Sequence, residues 1–127
     1  MFELTQEQAG RVLEIAMDLA RQGETEQLLE FCDHGLPVDS QDADGNSLLM
    51  LSAYHGHVGT VSALLDRGAN PDLRNSRDQT PVAGALFKGE DAVVAALVAA
   101  GADLDAGTPT ARQAAALFGR AGIALTG

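Results

Sequence analysis

The sequence predicts an all-α solenoid, a row of stacked helix-turn-helix units with β-turn fingers between them. Three observations carry this. Gly23, Gly56 and Gly89 are evenly spaced, and Gly35, Gly68 and Gly101 keep the same step. Two glycines locked in phase over such a period mark a repeated helical hairpin. Val61, Leu64 and Leu65 recur as Val94, Leu97 and Val98, with Leu28, Phe31 and Cys32 in phase before them. That spacing is one helical face per unit, packed on the next unit. Apolar residues make up 46% of the chain, yet aromatics are only 4% and Trp is absent. Ala and Leu fill many apolar positions, which suits closely stacked short helices. The 127 residues allow one domain with one continuous core.

The expected units are about 5–41, 42–74, 75–106 and 107–127, all within a single domain, 1–127. In the first, Thr5 and Gln8 read as a capping box, and a helix follows from about Gln6 to Gln22. Its apolar positions include Val12, Ile15, Ala16 and Leu19, and Arg11, Glu14, Asp18 and Arg21 read as solvent-facing. The second unit opens with Asp42-Ala43-Asp44-Gly45, a turn in which Gly45 suits positive φ. Asp78 takes that position in the third unit and tolerates the conformation less well. Ser47 and Thr80 cap the helices that follow, and Pro81 fits a first helical turn. Gly56 and Gly89 turn the chain between two antiparallel helices, and Gly68 and Gly101 follow the second helix of their units. Cys32 shares the position of Leu65 and Val98, so it reads as a small buried hydrophobe. The fourth unit has a shortened turn, since Thr110 follows Thr80, and Gly119 follows Gly89, by less than the full period. A helix is expected from Ala111 to Phe118, with Ile123 and Leu125 packing on the third unit and no full second helix before Gly127.

The motifs resemble the ankyrin repeat over roughly residues 5–125. The second unit carries Asp42-x-x-Gly45, Ala53-x-x-Gly56-His57 and Leu64-Leu65-Asp66-Arg67-Gly68-Ala69-Asn70-Pro71-Asp72. The third keeps Thr80-Pro81, Gly89 and Leu97-Val98-Ala99-Ala100-Gly101-Ala102-Asp103. The family's full Thr-Pro-Leu-His is absent: Ser47-Leu48-Leu49-Met50 and Thr80-Pro81-Val82-Ala83 stand in its place. The resemblance implies a stack with no active site of its own, whose extended surface binds other proteins.

Charge and composition bound the partners. The net charge is −10, which argues against nucleic acid and anionic membrane. Most of it falls in 1–41, where nine acids against Arg11 and Arg21 leave −7. Solubility is the favoured reading of that acidity, ahead of a patch steering a basic partner. A lone cysteine, no basic-then-apolar leader and no long uninterrupted apolar run point to a cytoplasmic protein outside the membrane, monomeric when free.

Candidate chemistry is thin. His55-Gly56-His57 could pair as ligands, but zinc needs three or four, and His34 lies a repeat away. The resemblance assigns His57 a backbone bond at the helix turn instead. Ser40 to Gly45 lacks the first acid and the twelfth Glu of a calcium loop, so Asp42 is expected to bond local backbone. Gly84 to Gly89 has Lys-Gly-Glu where a phosphate loop needs Gly-Lys-Ser/Thr. No nucleophile motif is present. The expectation is therefore no catalytic residue, no metal, no cofactor and no enzymatic activity.

What the resemblance implies is a partner protein on the concave face. Its residues would be Ala43, Asp44, Asn46, Met50, Tyr54 and His55, then Ser76, Arg77, Gln79, Ala83, Phe87 and Lys88. Tyr54 and Phe87 occupy one repeat position, and aromatics dominate interface energetics. A narrower role, an inhibitor or immunity-type protein covering a specific enzyme or toxin, fits the small size and the acidity.

Overall fold

Polar caps and phased glycines cut this chain into short helices. The computed structural model describes residues 4–117. Seven helices occupy them: α1 (Gln6–Gln22), α2 (Thr25–Asp33), α3 (Leu48–Tyr54), α4 (Val58–Asp66), α5 (Pro81–Lys88), α6 (Asp91–Ala99) and α7 (Ala111–Leu117). Phe118, Gly119, Ile123 and Leu125 lie outside the described residues.

The Thr5 hydroxyl accepts from the Gln8 N–H at 3.1 Å, and the Gln8 side chain accepts from the Thr5 N–H at 3.0 Å. Thr110 and Gln113 form the same reciprocal pair at α7. Ser47 and Thr80 cap α3 and α5 by accepting from the third N–H beyond them. Residues Gly23 and Gly89 end α1 and α5 in the left-handed conformation.

Helices α1, α3, α5 and α7 pack side by side as one layer, and α2, α4 and α6 form a second behind it. The core runs between the layers as a continuous seam. Leu28, Val61, Leu64, Val94 and Leu97 are fully buried from the outer layer, meeting Leu48, Leu49, Val82 and Leu86 from the inner one. The Thr60 hydroxyl, buried in this seam, shares a 2.6 Å hydrogen bond with that of Thr25.

The fingers join α2 to α3 and α4 to α5. Asp42 N–H donates to the Asn46 carbonyl at 3.0 Å, and one repeat on Asn75 N–H donates to the Gln79 carbonyl at 3.1 Å. One Asp42 oxygen accepts from the N–H groups of Asp44 and Asn46. Asn75 Oδ1 does the same for Arg77 and Gln79. Gly45 sits at φ 79° and Asp78, its equivalent, at φ 61°. A methyl on Gly45 would land 2.7 Å from the Ser76 nitrogen of the next finger, so glycine is required there on two counts. Loops on the far side are tied by carboxylates at the same period. Asp39 accepts from the Asn70 N–H at 2.9 Å, and Asp72 accepts from the Asp103 N–H at 2.7 Å.

Two expectations are corrected. Ile15 is 49% exposed, and the buried side of α1 is Ala16, Met17 and Ala20, with Leu13 partly covered. The row 13, 16, 17, 20 is the one that meets α2 and α3, whereas Ile15 lies off that row and is exposed. Cys32 is half-buried, as are Leu65 and Val98 at the same position. Partial burial raises its thiol pKa, with Arg67 opposing. The thiol is therefore protonated near neutrality and a poor nucleophile.

Candidate functional site

A groove of about 410 Å³ opens where the fingers stand over the inner helix layer. The period builds it. Residues at the end of each inner helix recur once per repeat, so Arg21, Tyr54 and Phe87 come to lie in one row across α1, α3 and α5.

Tyr54 and Phe87 stack with ring centroids 6.5 Å apart and planes 12° from parallel. Phe87 is 57% exposed, while Tyr54 is half-covered. Lys88 places Nζ 5.0 Å from the Tyr54 ring centroid, a cation over a π face. His55 meets Tyr54 edge-on at 5.5 Å and stacks toward His57 at 6.5 Å. Its pKa is held below the ordinary imidazole value. Partial desolvation acts first, and the charges of His57, Lys88 and Arg21 add to it. His57 itself faces the preceding repeat. Its Nε2 donates to the Arg21 carbonyl at 2.7 Å, and the ring lies on Gly23, where a methyl would sit 2.5 Å from Nδ1. That carbonyl only accepts, so the bond fixes the proton on Nε2. The backbone bond expected for His57 is thus present, one repeat back.

Of the residues expected at the partner surface, Asp44, Asn46, Met50, Tyr54, His55, Arg77, Gln79, Ala83 and Phe87 line the groove. Ala43, Ser76 and Lys88 are exposed and do not line it, though Lys88 reaches the Tyr54 ring. Met50 and Ala83 are each only 5% exposed and form floor, not wall. Sequence reading misses Arg21, Asp42, Leu51, Asn75, Gly84 and Pro109 in this lining. For Arg21 a signal exists, since it stands one full repeat before Tyr54. Its side chain lies 2.7 Å from Asp18 and 3.8 Å from Asp42, which draws it toward the groove. Asn75 binds the Asn46 side chain across the fingers at 2.9 Å, a tie that only adjacency of the two turns creates.

Chemically, the groove offers apolar floor, two aromatic rings, amides and guanidinium groups. Among the described residues no cluster of three His, Cys, Asp or Glu side chains is placed to hold a metal ion. No described helix is long and apolar enough to cross a membrane.

The family model for ankyrin repeats, in three copies, matches residues 16–108. The inactive serine/threonine-protein kinase TEX14 of Mus musculus is 36% identical over 87 residues, covering 68% of this chain and 6% of that protein. The ankyrin repeat protein PA3287 of Pseudomonas aeruginosa is 50% identical over 44 residues, covering 35% of this chain and 26% of that one. The chain therefore spans only a small part of these relatives. The crystal structure of the human ASB11 ankyrin repeat domain superposes with a TM-score of 0.66 at 28% identity, over 70% of this chain and 40% of that one.

Proposed function

The chain belongs to the ankyrin-repeat family, whose members are in general protein–protein interaction modules and typically non-enzymatic, and from that premise we propose that it binds a partner protein in the finger-side groove. One observation carries the reading: Tyr54 and Phe87 stack in one row over an open, mostly apolar floor. A stacked aromatic pair gives large contact area with few rotatable bonds, which is what an interface anchor needs. Lys88 stands over the Tyr54 ring and Arg77 lines the same groove, where charge sets orientation and association rate. The narrower role of covering one enzyme or toxin would use the same surface, and the partner's identity separates the two.

The experiment is capture of the partner from native cells, followed by titration of purified partner against Tyr54→Ala with Phe87→Ala. Both rings lie outside the core, so helical content is expected to persist. Binding is expected to weaken by roughly 2 kcal/mol or more. Normal binding by the folded double variant would place the interface elsewhere. Loss of binding on charge reversal of Glu24, Glu26 and Glu30 would move it to the acidic outer face of α2.

A further inference from the structure

This acidic chain keeps two cations without an ion pair at the groove. The protein carries −10 in total, and most of its cations are neutralised locally. Arg11, Arg21, Arg67, Arg74 and Arg112 each hold a carboxylate oxygen between 2.7 and 3.1 Å away. Among the described residues, Arg77 and Lys88 are the two cations with no carboxylate in ion-pair range, and both flank the groove. Lys88 and Arg21 both act to lower the His55 pKa. Two carboxylates reach the groove. Asp42 is committed to the N–H groups of Asp44 and Asn46 and faces Arg21. Asp44 stands exposed at its fingertip, one repeat before Arg77. Glu90 lies against Gly56, beside His55. The groove of this acidic protein thus carries two cations without an ion-pair partner, Arg77 on the finger and Lys88 over the Tyr54 ring.

A second observation concerns the floor. Helix α5 carries Gly84 at its centre, where glycine weakens a helix relative to alanine. Packing does not require it. A methyl there would stand 3.6 Å from the Tyr54 ring and 3.7 Å from the Met50 sulfur, ordinary contact distances. Its φ is not in the left-handed region either. What the missing methyl leaves is depth below Tyr54, inside the groove. A helix-weakening residue that no fold contact demands, at the bottom of the candidate site, points to something seated there.

We propose that the groove takes an acidic segment of a partner protein. A large apolar side chain sits over Gly84 against Tyr54 and Phe87, and neighbouring Asp or Glu side chains are answered by Arg77 and Lys88. This rests on the interaction-module reading and names the chemistry of the partner. A basic segment would set its cations against two uncompensated ones, a juxtaposition that interfaces avoid. The remaining negative charge of the chain does not forbid an acidic partner. At physiological ionic strength the screening length is about 8 Å, so contacts within the groove outweigh the distant field.

The test pans a random-peptide phage library on the whole protein, then measures a fluorescein-labelled synthetic copy of an enriched peptide by anisotropy. Enriched peptides are expected to carry Asp or Glu beside a large apolar residue. Arg77→Glu with Lys88→Glu is expected to raise Kd at least tenfold, while Glu26→Lys on the outer face of α2 leaves it unchanged. Gly84→Ala is expected to raise the melting temperature and yet raise Kd several-fold, a pairing that a merely structural role would not give. Enriched peptides that are basic or uncharged, or a charge reversal that leaves Kd unchanged or lower, overturn the proposal. If those peptides still lose binding to Tyr54→Ala with Phe87→Ala, the groove reading stands and only the acidic chemistry falls. Peptides insensitive to both pairs of variants, or no enrichment at all, overturn both.

Discussion

Leu64 and Leu65 are neighbours in sequence and separate in the fold, which makes them a test of the whole stacking register. Leu64 is fully buried on α4 in the seam between layers, and Leu65 is half-covered at its edge. Leu64→Ala removes three buried carbons. At about 0.8 kcal/mol each, the transfer cost is roughly 2.4 kcal/mol. The space left is walled by helices on both sides, since α4 packs on α2, α3 and α6, so collapse is limited and the cavity adds to the loss. The expected total is about 3–4 kcal/mol, inside the usual span for buried leucines. The backbone does not compensate, because the Leu64 carbonyl already accepts from Arg67 and Ala69. Leu65→Ala, already partly hydrated, is expected to cost about 1 kcal/mol. Urea denaturation followed by far-UV circular dichroism measures both, with unchanged slope as the check that the denatured state is the same. Equal losses, or a larger loss at Leu65, would mean that α4 is rotated from its described orientation and would refute the register on which the groove rests.

Two further outcomes follow from the ties between repeats. Asp72→Ala removes the acceptor 2.7 Å from the Asp103 N–H. In this exposed loop it is expected to cost about 1 kcal/mol, read by the same denaturation, with faster amide exchange at Asp103. The depressed pKa of His55 makes stability depend on pH with a definite sign. Its folded value lies below the unfolded one, so the unfolded chain binds more protons between them. Stability contributed by this residue is intact well above the unfolded value of about 6.5 and is lost as pH falls from there through the folded value. His55→Gln is expected to flatten the slope of stability against pH in that window, and an unchanged slope would contradict the assignment.

The stack was legible from local signals alone. The glycine period, Thr5 with Gln8, Ser47 and Thr80 are local instructions. Each satisfies backbone groups within a few residues, so no distant contact is needed to interpret it. The Asp42 turn and the strained Asp78 were legible for the same reason, because finger geometry is set inside the finger. The backbone bond of His57 was legible from the repeat pattern, though not that its acceptor is Arg21, a repeat away. Tertiary structure decided what depends on neighbours. Ile15 looks as apolar as Leu13, yet α2 and α3 cover only the Leu13 side of α1, and Ile15 is left exposed. Met50 and Ala83 share the expected interface positions but sink into the floor, because the next inner helix packs over them. Arg21 reads as a solvated charge on a terminal helix, and only the stacking of α1 beside α3 brings it into the row of Tyr54 and Phe87. Periodicity records which residues are equivalent, but burial and charge pairing belong to the space between repeats, where side chains a full period apart in sequence first meet.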